Sequence, residues 1–122
     1  METILYNQLI KYLLPKEMVE YFDITAIESQ GEELTLTLEE KNLIPKEHEG
    51  KKVLSKGFYP ESTMEDFPIR EYKVYLKIRR RKWIDTASGQ IISRDWELTA
   101  KGTSYTKEFG AFLKDMARYF PC

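Results

Sequence analysis

The clearest pattern along the chain lies in residues 69–83, where apolar and charged side chains alternate with a period of two. That period is typical of a β-strand, because successive side chains of a strand point to opposite faces. The apolar face would carry Tyr72, Val74, Leu76 and Ile78, with Arg80 in the same phase. The other face would carry Lys73, Tyr75, Lys77, Arg79, Arg81 and Trp83. The pattern predicts one long strand with a core face and a basic, partly aromatic face.

Other segments predict helices at both ends and further strands between them. Thr3 can cap the first helix, Pro15 separates it from the second, and Gly31 supplies a hairpin turn. In chain order, we predict helices at 3–14 and 16–22, strands at 24–28, 34–38, 53–59, 69–83 and 90–96, and a helix from about 104 to 119. The expected fold class is α+β: a small antiparallel sheet built from two hairpin units, with N-terminal and C-terminal helices.

The segments between these elements have turn and loop character. Leu34, Leu36 and Leu38 should face the core, with the threonines between them outside. We predict an exposed connection at 39–52, a turn at 60–66, and a loop at 85–89 in which Gly89 takes a positive φ. His48 should be an exposed histidine, because no partner stands at metal-ligand spacing. The aromatic stripe of the last helix should be core: Tyr105, Phe109, Phe112, Leu113, Met116 and Phe120.

The length of 122 residues predicts a single domain, in which 1–42 and 50–122 are two subregions. No apolar run reaches the roughly 20 residues that a membrane span needs, and the N-terminus lacks the basic start of a signal peptide. The lone cysteine, Cys122, excludes an intrachain disulfide and fits a reducing compartment. We therefore expect a cytoplasmic protein.

Charge is separated along the chain, although the net charge is only −1. Residues 17–49 carry ten carboxylates and only Lys41 and Lys46 as lysines, whereas residues 51–82 are dominated by Lys and Arg. Such asymmetry is typical of a polyanion site beside an acidic surface. Alternatively, the acidic half packs against the basic half and neutralises it.

The basic strand supports two interpretations. Cations that alternate with exposed rings suit nucleic acid, because the cations neutralise phosphates and the rings can stack on bases. A solvated sheet face, whose cations pair with neighbouring carboxylates, has the same pattern. Trp83 could close the core or stack on DNA, and Arg80 could reach a groove edge.

A series of motifs carries a family resemblance: Gly57-Phe58-Tyr59, then Glu65-Asp66-Phe67-Pro68, then the strand that ends in Arg-Arg-Arg-Lys-Trp, then Ser93-Arg94-Asp95-Trp96 and a closing helix. In this order they resemble the N-terminal zinc-ribbon region of bacterial insertion-sequence transposases, over roughly residues 50–119. The start, from Leu13-Leu14-Pro15 through residues 38–42, resembles the split type, in which the transposase is encoded in two parts and this piece is the N-terminal one.

The chain departs from this family in its metal ligands. Family members with a full zinc ribbon place cysteine pairs before the Gly-aromatic segment and after the basic strand, and both pairs are absent here. Glu47, His48 and Asp85 do not form a tetrahedral zinc set by spacing. We therefore expect a degenerate ribbon without metal, in which packing by the terminal helices and the hairpin replaces the stabilisation that zinc provides.

The resemblance implies a DNA-binding module that recognises element ends, while a partner chain carries the catalytic residues. Asp66, Asp85, Asp95 and Asp115 each have an ordinary structural use, so we expect no catalytic set, no enzyme activity and no cofactor. The expected partners are double-stranded DNA, the catalytic transposase chain and, in a homo-oligomer, a second copy, in the bacterial cytoplasm near the nucleoid. The candidate DNA-binding residues are Lys73, Tyr75, Lys77, Arg79, Arg80, Arg81, Lys82, Trp83 and Arg94.

The alternative hypothesis is a protein-interaction or regulatory module that docks onto the catalytic chain. It would use the acidic hairpin at 23–41 or the aromatic C-terminal helix. No sequence feature supports a small-molecule enzyme.

Overall fold

The computed structural model describes residues 16–96 and 110–114, together with Leu9, Tyr12 and Leu14. Within these residues the fold combines helix and sheet, and sheet predominates. The elements are helix α1 (Lys16–Tyr21), strands β1 (Phe22–Gln30) and β2 (Glu33–Glu40), a 3-10 turn (Lys46–His48), and strands β3 (Val53–Phe58), β4 (Ser62–Ile69), β5 (Tyr72–Arg79), β6 (Arg81–Asp85) and β7 (Ile91–Ser93). Residues 110–114 are helical.

The seven described strands form two sheets, in the orders β1-β2-β5-β4 and β3-β6-β7. All neighbours are antiparallel except β2 and β5, which run parallel. The prediction of one wholly antiparallel sheet was therefore wrong. Parallel neighbours need a long crossover, and the segment between β2 and β5, which contains β3 and β4, supplies it.

The β1–β2 hairpin is confirmed, with Gly31 at a φ of 61° in its turn. Leu36 and Leu38 are buried as expected. Thr37 was expected outside but is only 7% exposed. The reason is that β2 is a central strand, so Thr37 lies between Ala26 of β1 and Lys77 of β5.

The main core lies on the inner face of the four-stranded sheet, where α1 and residues 110–114 contribute side chains. Met18 of α1 is fully buried. Trp96 stacks on Phe22 with ring centroids 5.4 Å apart, and Phe112 meets both rings edge-on. The buried cluster is Leu14, Met18, Phe22, Leu36, Leu38, Met64, Val74, Leu76, Ile78, Trp96 and Phe112.

Two strand predictions require correction. Residues 60–66 were expected to turn, but from Ser62 they form β4, whose Met64 is buried opposite Leu76 of β5. Residues 69–83 were expected to form one strand, but they contribute to three: Ile69 ends β4, and the chain from Tyr72 divides at Arg80 into β5 and β6, which belong to different sheets. The return strand is confirmed but shorter, as β7, and Gly89 has the expected positive φ, at 76°.

The connection predicted at 39–52 is more structured than expected. Its first two residues complete β2, Pro45 is fully buried, and His48 is half-buried with its Nδ1 3.2 Å from Nζ of Lys51. Most of the predicted helix at 3–14 and of the helix at 104–119 lies outside the described residues, as does Asp115. In the described part of the chain, no helix is long and apolar enough to cross a membrane.

Candidate nucleic-acid interface

The outer row of β5 consists of Lys73, Tyr75, Lys77 and Arg79, on the face opposite the core. Lys73 and Arg79 are exposed, whereas Tyr75 and Lys77 are half-buried. The period-two prediction is confirmed for Val74, Leu76 and Ile78, which are all buried, but it was wrong for Tyr72, which was expected in the same core row and is 43% exposed at the start of the strand. The row offers three cations and one aromatic ring on a single sheet face.

Carboxylates flank this row on both neighbouring strands. On β2, Glu33 is the register partner of Lys73, and Glu39 is the partner of Arg79. On β4, Glu65 lies beside the middle of the row. Charges that are far apart in the sequence are therefore interleaved in space.

Arg79 forms two ion pairs at the end of the row. Its Nη1 lies 2.7 Å from Oε2 of Glu39, and its Nε lies 3.0 Å from Oε2 of Glu61. The hydrogen bonds that Arg79 donates to Glu61 and then to Glu39 raise the pKa of its guanidinium above the ordinary value. Glu39 belongs to the acidic segment at 17–49. At Arg79 the structure therefore agrees with the alternative interpretation, in which the acidic half of the chain neutralises the basic half. Both pairs are exposed, so a phosphate could compete for the guanidinium.

Arg80 is buried and stands at the break between β5 and β6. Its Nη2 donates to the carbonyl oxygen of Arg94 at 3.1 Å, and its guanidinium lies 5.5 Å from the ring centroid of Tyr59. The Tyr59 amide in turn donates to the Arg80 carbonyl oxygen at 2.8 Å. These contacts fix the turn from one sheet to the other.

The buried phase of the chain changes across Arg80. In β5 the even-numbered Val74, Leu76 and Ile78 are buried, but in β6 the odd-numbered Trp83 is fully buried. Its ring packs with Val53 and Ile92, and its Nε1 donates to Oδ1 of Asn42 at 2.8 Å. Of the two roles open to Trp83, the structure shows the core role, so its ring is not on the surface for stacking.

Arg81 is half-buried and anchored by its own hydrogen bonds. Its amide donates to Oε1 of Glu40 and its Nε to the Glu40 carbonyl oxygen, both at 3.0 Å. Its Nη1 donates to Oγ of Ser55, and its guanidinium lies 4.6 Å from the ring centroid of Phe58. Arg81 therefore connects the end of β2 to the three-stranded sheet.

Arg94 is buried beside Glu40. Its Nε donates to Oε2 of Glu40 at 3.0 Å, and its Nη2 donates to the carbonyl oxygen of Leu43. The guanidinium also lies over the rings of Tyr21 and Trp96. Burial raises the pKa of the Glu40 carboxyl above its ordinary value of 4.5, and the hydrogen bonds from Arg81 and Arg94 only partly oppose that shift.

Glu40 is the residue that the sequence analysis missed, although a signal was present. It follows Leu34, Leu36 and Leu38 in the same period-two phase, just as Arg80 follows the apolar row of β5. Two apolar rows that each end in a charge of opposite sign predict a buried pair where the strands lie side by side. The actual ion-pair partner is Arg94, which comes from beyond β7.

Two loops meet at one end of the three-stranded sheet. The first loop precedes β3 and ends at Lys52, and the second loop joins β6 to β7 and begins at Thr86. The Thr86 amide donates to the carbonyl oxygen of Lys52 at 2.9 Å, and the Thr86 hydroxyl donates to the same oxygen at 2.8 Å. Within the second loop, the Gly89 amide donates to the Asp85 carbonyl oxygen at 2.7 Å. Protein hydrogen bonds thus join the loops, and no group of three metal-ligating side chains occurs in the described ranges.

Comparison of the chain with protein-family models, with curated proteins and with solved structures found no match.

Proposed function

We propose that this chain is the DNA-binding N-terminal module of a split insertion-sequence transposase, with a partner chain performing the chemistry. In this proposal it has no catalytic residues and no cofactor. It acts in the bacterial cytoplasm, on the ends of its own element. The proposal combines the motif order of residues 50–119 with the local geometry around β3, β6 and β7.

The observation that carries the proposal is the meeting of the two loops at Lys52 and Thr86. These are the places where the resemblance puts the two lost cysteine pairs, one before the Gly-aromatic segment and one after the basic strand. A zinc ribbon brings its two pairs together on one ion, because zinc takes four ligands in a tetrahedron. Here two hydrogen bonds to one carbonyl oxygen join the same two loops, as expected of a ribbon that has lost its metal.

The candidate DNA contacts divide into two groups by burial. Arg80, Arg94 and Trp83 are buried, and Arg81 is held by Glu40 and Ser55, so we assign these four to the framework. The residues left for DNA are those whose ends reach the surface: Lys73, Tyr75, Lys77, Arg79 and Lys82. Lysine and arginine on such a face contact phosphates, which gives affinity with little sequence discrimination.

The proposal is tested by fluorescence anisotropy with a duplex of the element's terminal inverted repeat and with a scrambled duplex, across a salt series. We expect tighter binding to the terminal repeat. Replacing both Lys73 and Lys77 by Ala should weaken binding to the two duplexes alike. It should also reduce the slope of log affinity against log salt by about 1.8, because each phosphate that a lysine neutralises contributes about 0.9 to that slope.

Lys16→Ala paired with Lys46→Ala is the matched control, because both lysines are exposed and lie outside β5. This control removes the same charge, so it separates a local contact from a general electrostatic effect. Equal losses of affinity for the two double variants would place the contact elsewhere. Failure of the unaltered chain to bind either duplex would overturn DNA binding by the isolated module.

The second candidate function is docking onto the catalytic chain through the acidic hairpin. Between Asp23 and Glu40 the chain has no Lys, Arg or His, and Glu28, Glu32 and Glu33 are exposed. Such a surface suits a basic partner. Retention of the catalytic chain in a nuclease-treated pull-down would favour docking, and loss of that chain would favour bridging through DNA.

A further inference from the structure

Strand β1 forms one edge of the four-stranded sheet. Its inner edge pairs with β2, and no strand within the described ranges pairs with its outer edge. The register shifts once, between Ile24 and Ala26, and is regular from Ala26 to Gln30. Proline and lysine are residues that commonly protect an edge strand. The opposite edge strand, β4, contains Pro68, whereas β1 contains neither residue type. The edge from Ala26 to Gln30 is therefore open to pairing with another strand.

The hairpin turn determines which backbone groups of β1 point outward. A two-residue turn at 31–32 joins Gln30 to Glu33, so these two residues form the closing hydrogen-bonded pair. Hydrogen-bonded and non-hydrogen-bonded pairs alternate along an antiparallel ladder. The amide and carbonyl groups of Ile27 and Ser29 therefore point away from β2. An extended segment can bond to these groups without disturbing the hairpin.

The side chains along this edge differ between the two faces of the sheet. Ile27 is opposite the buried Leu36, so it lies on the core face, yet it is 51% exposed. Glu28 is opposite Thr35 and lies exposed on the other face. Side chains of adjacent strands meet on the same face of a sheet. An added strand would therefore need an apolar side chain beside Ile27 and a cation beside Glu28.

The other side of the same hairpin already has a neighbour of this kind. Strand β5 lies along β2, where Lys73 is the register partner of Glu33 and Val74 is the partner of Leu34. Val74 is fully buried on the core face, and Lys73 is exposed on the other face. A strand in which cationic and apolar residues alternate therefore matches the acidic hairpin along one of its edges.

We propose that the outer edge of β1 binds, by strand addition, an extended segment of a partner protein in which basic and apolar residues alternate. Main-chain hydrogen bonds at Ile27 and Ser29 provide affinity, while Ile27 and Glu28 select the side chains of the segment. A second copy of β1 is a poor match, because residues 23–40 contain no Lys, Arg or His and two such hairpins repel one another. Strand addition here rests on the docking function proposed above for the acidic hairpin and specifies how the partner is held.

The test is an anisotropy titration, without DNA, of a labelled synthetic peptide in which Val and Lys alternate over the length of β1. We expect the full chain to bind this peptide more tightly than two control peptides. The first control has the same composition with Val and Lys in separate blocks, and the second has Glu in place of each Lys. Ser29→Pro should weaken binding about tenfold or more, because it removes an outward amide without breaking a hairpin hydrogen bond. Ser29→Ala keeps that amide and should leave the affinity unchanged.

Reversing one charge tests the selection of side chains. Glu28→Lys should weaken binding of the Val-Lys peptide several-fold and allow the Val-Glu peptide to bind. Glu47→Lys makes the same change of net charge at an exposed position outside the hairpin, and it should alter neither affinity. Circular dichroism melts confirm that each variant is folded. In the unaltered chain, the Val-Lys peptide should slow hydrogen exchange at the amides of Ile27 and Ser29, measured by NMR.

Equal binding of the alternating and block peptides would overturn strand addition, and so would unchanged exchange at Ile27 and Ser29. Sedimentation of the chain alone covers the competing occupant, because self-association that Ser29→Pro abolishes would assign the edge to a second copy instead. Docking and strand addition fail separately. If the nuclease-treated pull-down retains the catalytic chain and the peptide does not bind, docking stands and strand addition at β1 is wrong.

Discussion

Glu40 and Arg94 form a buried ion pair at the junction of the two sheets, with exposures of 1% and 6%. Removing two charges from water costs several kcal/mol for each ion, and Coulomb attraction offsets that cost only when hydrogen bonds satisfy the remaining polar atoms. Here the Arg81 amide and the Leu43 carbonyl oxygen supply two of those bonds. Burial nevertheless dominates at Glu40, because its pKa is raised. The pair therefore determines how the sheets are joined more than it adds net stability.

Glu40→Ala should lower the free energy of unfolding by about 3–5 kcal/mol, because it leaves the guanidinium of Arg94 buried without its partner. Glu40→Gln should cost less, since Gln still accepts from the Arg81 amide and burial already disfavours the charged form of this carboxyl. Adding Arg94→Leu to Glu40→Ala should recover much of the loss. Urea denaturation of the four proteins measures these values, and equal losses for Ala and Gln would contradict the account.

The raised pKa of the Glu40 carboxyl predicts how the stability difference between the unaltered protein and Glu40→Gln depends on pH. The folded chain takes up a proton at Glu40 before the unfolded chain does, so this group contributes more stability at low pH and loses it as pH rises from 4.5 through the raised folded value. The unfolding free energy of the unaltered protein minus that of Glu40→Gln should therefore fall across this window. A difference that grows with pH would mean that the ion pair outweighs the burial of the carboxyl.

The strand elements show which parts of the fold the sequence determines locally. The β1–β2 hairpin and the core face of β5 were predictable, because an alternation of Leu and Thr or of apolar and cationic residues places the apolar residues on one face. The exposure of the other face was not predictable, since Thr37 is buried within the sheet. The break at Arg80 was not predictable, because it depends on Arg94 and Tyr59, which lie far from Arg80 in the sequence. The parallel pairing of β2 with β5 was also missed, because it joins residues that are about 40 positions apart in the sequence.

The change of buried phase across Arg80 gives a test at the level of β6. Trp83→Ala should lower the free energy of unfolding by about 3–5 kcal/mol, because the indole is fully buried. Lys82→Ala, the adjacent position on the opposite face, should change it by about 0.5 kcal/mol or less. Thermal or urea denaturation distinguishes the two. Comparable effects at both positions would contradict the assignment of faces in β6.

At the scale of the whole molecule, acidic and basic residues that are separated along the sequence lie side by side, because the strands that carry them are neighbours in the four-stranded sheet. The basic row of β5 was predictable from alternation, but its acidic neighbours were not, because the strand order of the sheet places them there. Nine candidate DNA contacts therefore became five at the surface, since the sequence pattern cannot distinguish a side chain that reaches solvent from one that is buried, such as Trp83, or from one that binds a buried carboxylate, such as Arg94. Any DNA that binds the row must also approach its glutamates.

Replacing both Glu61 and Glu65 by Gln should tighten duplex binding several-fold at low salt, with the gain fading at high salt. The change frees Arg79 from one partner and moves the net charge from −1 to +1, because two carboxylates are removed. Glu47→Gln with Glu49→Gln gives the same net charge away from the row. Anisotropy titrations compare the two double variants, and an equal gain would show that net charge, rather than the row, governs binding.

The parallel pairing of β2 with β5 also affects how the chain can fold. Glu33 of β2 pairs with Lys73 of β5, which comes 40 positions later in the sequence. Because local contacts form faster than distant ones, we expect the β1–β2 hairpin to form before β5 pairs with the other edge of β2. Until then the uncharged run Leu-Thr-Leu-Thr-Leu at 34–38 presents an open edge with high β-propensity, a feature that favours aggregation. Glu32 and Glu33 precede this run, and Glu39 and Glu40 follow it. Three of these carboxylates therefore have a second use as gatekeepers that keep nascent chains apart, because Glu33 and Glu39 later flank the basic row and Glu40 binds Arg94.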